Sequence, residues 1–247
     1  MLRNIFFDLD GTLLPMDVKK FVELYLKSIC QSVCPYINLA PETLEKAIIN
    51  GFKEVSKNNG IITNKMKFWN AVATVAGPDI INEIPIFNGY FENEFILTKE
   101  ATDRNPLVFD VVSILKNKGY NLVLATNPVF PKTAVERRLK WAGLDKDDFS
   151  FITTYETSKF CKPNPKYYEE TCTLSNCLPE ETLMVGNDVD EDMSAIKAGL
   201  SGYLVKDYMI NRSESDYSGF NQGSFRDFYG FCISLPNINS NSEQSPM

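Results

Sequence analysis

NIFFDLDGTLL, residues 4–14, decides how this chain is read. Ile5, Phe6 and Phe7 form an apolar run without alternation that ends in Asp8, Asp10 and Gly11. Such a run, closed by an acid and a glycine, predicts a short strand buried on both faces, as in a parallel sheet. From Asp17 to Phe95 the apolar spacing changes to three and four. DVKKFVELYLKSICQSVC puts Val18, Phe21, Val22, Tyr25, Leu26 and Ile29 on one helical face. PETLEKAIINGFKEV opens on Pro41, with Glu42 and Glu45 where acids favour the helix dipole. KMKFWNAVATVAG stops at Gly77-Pro78, and INEIPIFNGYFENEFI is expected to be helical with a break near Pro85. The aromatic residues Phe68, Trp69, Tyr90, Phe91 and Phe95 recur at helical spacing and read as core.

After Asn105-Pro106 strands and helices alternate. VFDVVSILKNKG reads as helix, YNLVLATN as strand, TAVERRLKWAGL as helix and FSFITTYET as strand. PNPKYYEETCTLSN is a further helix, ETLMVGND a strand, EDMSAIKAGL a helix and SGYLVKD a final strand, followed by one helix in SFRDFYGFCISL. Arg137 and Arg138 are expected on an exposed helix face. Alternation of this kind implies right-handed crossovers and a parallel sheet with helices on both faces. The predicted fold class is α/β, with a core from residues 1–15 and 103–235, a helical insertion over 16–102 and a flexible tail over 236–247.

Composition narrows the chemistry. Among 247 residues, 25 are Lys or Arg and 32 are Asp or Glu, a net charge of −7 that argues against a nucleic-acid partner. No run approaches the roughly 20 apolar residues of a membrane span. The six cysteines, in a chain without an export signal, read as free thiols of a cytoplasmic protein. There is no histidine. That excludes a Ser-His-Asp triad, a papain-like thiol centre and a His-ligated zinc site, and leaves carboxylates, Lys, Tyr and Cys for acid–base work.

Ligands of open parallel sheets bind at the C-terminal strand ends. Those ends carry Asp8 and Asp10, then Thr126-Asn127, then Lys162, then Gly186-Asn187-Asp188 with Asp190, Glu191 and Asp192 close behind. Several carboxylates on one rim require a cation, and an all-oxygen set beside a phosphate suits Mg²⁺.

FFDLDGTLL, LATN, CKPNP and VGNDVDED stand in the order and spacing of the four motifs of the haloacid dehalogenase superfamily, and the chain resembles that family over roughly residues 1–207. The resemblance implies a Rossmann-like core with an inserted α-helical cap domain. It implies that Asp8 is the nucleophile, forming an aspartyl phosphate, and that Asp10 is the general acid and base. Thr126, Asn127 and Lys162 match the phosphate-binding positions. Metal ligands would be the Asp8 carboxylate, the Asp10 backbone carbonyl, and Asp188 with Asp192 in the fourth motif. Asn187 departs from that motif's acidic pair and leaves Asn187 and Asp190 as substitutes for the metal contact.

Having both Asp8 and Asp10 favours phosphate esters, since relatives that cleave carbon–halogen bonds lack the second acid. The expected activity is a Mg²⁺-dependent phosphatase acting on a small phosphorylated metabolite, as a monomer or homodimer. A phosphosugar mutase and a non-catalytic binding protein of the same fold are the alternatives.

Overall fold

Asn4–Phe7 is strand β1. It lies inside a six-stranded sheet in a computed structural model that describes residues 1–238. The other strands are β2 (Asn121–Leu124), β3 (Phe151–Ile152), β4 (Thr182–Gly186), β5 (Ser201–Val205) and β6 (Asn221–Gly223). Their order is β3-β2-β1-β4-β5-β6 and every pairing is parallel. Phe6 sits beside Val123 and Met184, while Phe7 sits beside Leu124 and Val185. Because side chains alternate along a strand, these two rows face opposite ways. The Phe6 row packs on Tyr167, Tyr168 and Cys172 of α7 (Pro165–Leu174). The Phe7 row packs with Val108 and Val112 of α5 (Leu107–Asn117) and Phe228 of α8 (Phe225–Ser234). Both faces are covered, which explains why β1 and β4 are apolar without alternation.

Between β1 and β2 the chain builds α1 (Val18–Val33), α2 (Pro41–Val55), α3 (Asn64–Ala76) and α4 (Ile84–Glu92), with 3₁₀ turns over Pro78–Glu83 and Glu94–Ala101. Asp17 caps α1 by accepting the Lys20 N–H, and Thr63 caps α3 by accepting that of Met66. The break expected near Pro85 falls at Glu83, where the 3₁₀ turn gives way to α4; Pro85 stands in the first turn of that helix, where a missing N–H has no helical partner. The insertion leaves and rejoins the sheet through a short antiparallel junction. Asp17 N–H donates to the Ala101 carbonyl, and Asp103 N–H donates to that of Pro15, both at 2.9 Å. Phe68, Trp69, Tyr90, Phe91 and Phe95 are all buried core.

Four further expectations are corrected. Asp192–Ala198 winds as a 3₁₀ helix, and its first carboxylate lies against Gly186, where a Cβ would collide with it. The third strand keeps only two residues at the sheet edge. The polar segment Asn221–Gly223 adds a strand that apolar patterning could not reveal. Arg138 is fully buried, whereas Arg137 is half-exposed. Of the tail beginning at Pro236, residues 239–247 lie outside the described residues. Its start is anchored: Tyr120 donates to the Pro236 carbonyl, and Ile238 N–H donates to that of Lys118.

All six cysteines are free thiols. Burial pushes Cys30, Cys161, Cys172 and Cys232 up to about 12, which makes them inert at neutral pH. Among the described residues no helix is long and apolar enough to cross a membrane.

Candidate active site

The sheet order reverses between β1 and β4, and the crevice of an open α/β sheet forms at such a point. A cavity of about 130 Å³ lies there, and its wall includes Asp8, Asp10, Thr126, Asn127, Asp188 and Asp192. They arrive in pairs from the ends of β1, β2 and β4, as their positions in the sequence require.

Asp8 is held on both oxygens. Lys162 Nζ donates to Oδ1 at 2.9 Å, and Thr12 Oγ1 approaches Oδ2 at 3.4 Å. Thr12 also donates to Asn187 Oδ1 at 3.1 Å, and Asn187 Nδ2 donates to the Tyr208 carbonyl at 2.6 Å. Asn187 therefore braces Asp8 through Thr12. Gly11, at φ 90°, lets the turn pass against it, for a Cβ there would strike the Asn187 amide.

Lys162 is 2% exposed and also donates to Asp192 Oδ1 at 2.6 Å. Burial alone would favour the neutral amine, but Asp192 and Asp8 outweigh it and hold the lysine pKa well above its ordinary value. Asp192 Oδ2 accepts the Asp188 N–H at 2.9 Å. Both oxygens of Asp192 thus serve protein donors, and it acts in this arrangement as the counter-ion of Lys162.

Asp188 is placed differently. Its Oδ1 accepts the N–H groups of Asp190 and Glu191, and its Oδ2 meets Arg212 Nη1 at 2.6 Å. The guanidinium comes from an exposed loop and puts a cation on Asp188, one of three fourth-motif carboxylates, with Glu191 and Asp192, that line the cavity. Asp190 accepts the backbone N–H groups of Arg212 and Ser213, so it fastens that loop and does not line the cavity.

Thr126 is fixed through its carbonyl, which accepts hydroxyl hydrogens from Thr153 at 2.7 Å and Tyr167 at 2.9 Å. Asn127 donates to Glu191 at 3.0 Å, while its Oδ1 is buried without a hydrogen-bond partner.

Asp10 pairs with Arg138, which rises from α6 (Lys132–Ala142). The guanidinium lies 4.8 Å over the Phe130 ring, and its Nε donates to the Ala134 carbonyl. Asp10 Oδ1 and Arg138 Nη2 are both buried and unpartnered. Burial raises the Asp10 pKa, Arg138 lowers it and the Asp8 charge raises it again; the net direction is upward. Arg138 and Arg212 are site residues that motif reading missed, and Glu191, noted on the rim, was given no role there. Arg138 had a signal, since it shares the helical stripe of Ala134, Val135, Leu139 and Ala142.

The donors are of the all-oxygen kind Mg²⁺ takes, although among the described residues no three acidic side chains are gathered closely enough to hold an ion by themselves. Asp8 and Asp188 bring carboxylates to one rim, the Asp10 carbonyl belongs to the same turn, and the arginine on Asp188 marks where positive charge is wanted.

Comparisons with known proteins follow the same line. A family model for haloacid dehalogenase-like hydrolases matches residues 2–199. The glyceraldehyde 3-phosphate phosphatase of Methanothermobacter thermautotrophicus is 27% identical over 88% of this chain and 91% of its own. The pyrophosphatase PpaX of Bacillus cereus is 24% identical over 80% of each. A crystal structure of a phosphatase of this family from Thermococcus onnurineus superposes with a TM-score of 0.58 at 17% identity, covering 96% of this chain and all of that one, which shows the shared fold. The match of sheet order, strand-end carboxylates and family model leaves one assignment: the chain belongs to the haloacid dehalogenase-like hydrolases.

Proposed function

We propose that this chain is a Mg²⁺-dependent phosphatase that hydrolyses a small phosphorylated metabolite through an aspartyl phosphate on Asp8. The observation that carries this reading is the pair at the end of β1: one aspartate clamped by an ammonium and a hydroxyl, the other partly buried two residues on and paired with Arg138. An Asp8 oxygen attacks phosphorus as the ester P–O bond breaks, and Asp10 gives its proton to the departing oxygen. Asp10 then takes a proton from water as that water attacks phosphorus and releases Asp8. Its raised pKa suits the first role. Lys162 and the Thr126 side chain hold the phosphate oxygens. Mg²⁺, held by Asp8, Asp188 and the Asp10 carbonyl, would neutralise charge between nucleophile and phosphate; Asp192 fits a contact through water. Residues 16–102 act as a cap over the core, and six free thiols suit a cytoplasmic location.

The test is phosphate release from a panel of phosphorylated metabolites, with Mg²⁺ and with a chelator. Release should need the metal and return when Mg²⁺ is restored. Absence of release from every compound sinks the reading, and bisphosphate-primed isomerisation would then favour a mutase.

Arg138 is the positioning residue for Asp10. In Arg138→Met only the more distant Lys162 charge still opposes burial and the Asp8 charge at Asp10, so its pKa climbs. The limb of the pH–rate profile at which activity falls on loss of the Asp10 proton should move to higher pH, with kcat down about tenfold or more. Arg138→Lys keeps the charge and should keep the limb nearer the wild-type position. An unmoved profile in both variants would leave Arg138 a packing residue.

A further inference from the structure

We propose that the leaving group accepted by this site is apolar, so that the substrates are alkyl or aryl phosphate monoesters. This rests on the phosphatase reading above and deepens it. Beside the carboxylate cavity lies a second one of about 220 Å³, and the two share Asp10, Val18, Val129 and Phe130. Asp10 is the group that protonates the leaving oxygen, so what lies beyond Asp10 receives the rest of the substrate. There the wall is Val22, Leu26, Ile49 and Phe52, from α1 and α2.

The periodicity of α1 explains how this wall arises. Its six apolar residues were expected on one face, but the structure divides them into two stripes. Phe21, Tyr25 and Ile29 enter the core. Val18, Val22 and Leu26, four residues apart, line the cavity from less buried positions, and the buried Phe21 and Tyr25 line it as well. Val22 is 45% exposed, and Ile49 opposite it on α2 is 48% exposed. Apolar side chains left open at the mouth of a catalytic cavity mark a place where a ligand covers them.

Charge points the same way. Among the described residues that line this cavity, Asp10 is the only formally charged one. Arg138 approaches beneath Phe130 but is fully buried and paired with Asp10. A second phosphate, as in pyrophosphate, would meet a carboxyl group and no ammonium or guanidinium. Sugar hydroxyls would lose water here against valine, leucine and phenylalanine.

The experiment is a leaving-group series run with Mg²⁺: n-alkyl phosphates from ethyl to hexyl and phenyl phosphate, against glycerol phosphate, ribose 5-phosphate and pyrophosphate. Across the alkyl series kcat/KM should rise about three- to fourfold per methylene, the equivalent of about 0.8 kcal/mol for each CH₂ buried. Hexyl and phenyl phosphates should exceed the three polar substrates. Val22→Asn and Ile49→Asn, both at half-exposed positions and checked by thermal melts, should flatten the alkyl slope. A flat slope in wild type, with polar esters turned over faster, overturns the apolar assignment and leaves a phosphatase. No release from any compound overturns both readings together.

Discussion

Asp8→Asn should reduce phosphate release by about 10⁴-fold or more while the protein melts close to wild type. The substitution keeps the shape of the side chain. Its carbonyl oxygen can still accept from Lys162, now 2.9 Å from Oδ1, and its amide can face Thr12 Oγ1, which is able to accept. Packing around the buried position is unchanged, since Asn is nearly isosteric with Asp. What disappears is the nucleophile: an amide oxygen does not form an acyl phosphate that water can later release. Acid quench and borohydride reduction of wild type during turnover should convert a fraction of Asp8 to homoserine, and the variant should show none. A folded Asp8→Asn with wild-type turnover would place the nucleophile elsewhere.

The parts of this site that could be read from sequence were those tied to strand ends. A buried parallel strand has to be an uninterrupted apolar run, and the first polar residues after it have to lie on the ligand rim. Asp8, Thr126 and Asp188 follow directly from that geometry, and all three line one cavity. Roles within the rim were less legible because they depend on which oxygen meets which donor. Asp192 and Asp188 look alike in VGNDVDED, yet one faces Lys162 and the other Arg212. Gly186 distinguishes them, because only a residue without Cβ lets the Asp192 carboxylate lie over β4. Arg212 reaches the site from a loop that bears no periodic pattern. The two stripes of α1 were hidden for a related reason: helical spacing puts Phe21 and Val22 on one face, and does not show that a cavity lined by both leaves Val22 half-exposed while Phe21 is buried.

Lys162→Met should cost about 3–5 kcal/mol of stability, because it removes one partner from a buried charged cluster and leaves two carboxylates facing each other. For a chain of this size that is a fall in Tm of roughly 10 °C. The loss should depend on pH in a defined direction. Burial pushes Asp192 up, and the Lys162 ammonium is the main opposing influence; without it the folded-state pKa rises further above the unfolded value. The folded variant then binds more protons than the unfolded chain across the interval between those values, so its stability falls as pH rises through it. The Tm gap between variant and wild type should therefore be narrower at pH 5 than at pH 8. Activity should fall as well, by about 10²–10³-fold, because the same ammonium holds a phosphate oxygen in the proposed reaction. The two effects separate experimentally: at pH 5 the variant regains stability but not turnover. A variant that melts with wild type at both pH values would show that Asp8 and Asp192 do not need Lys162 as their shared cation, and the phosphate clamp built on it would lose its structural basis.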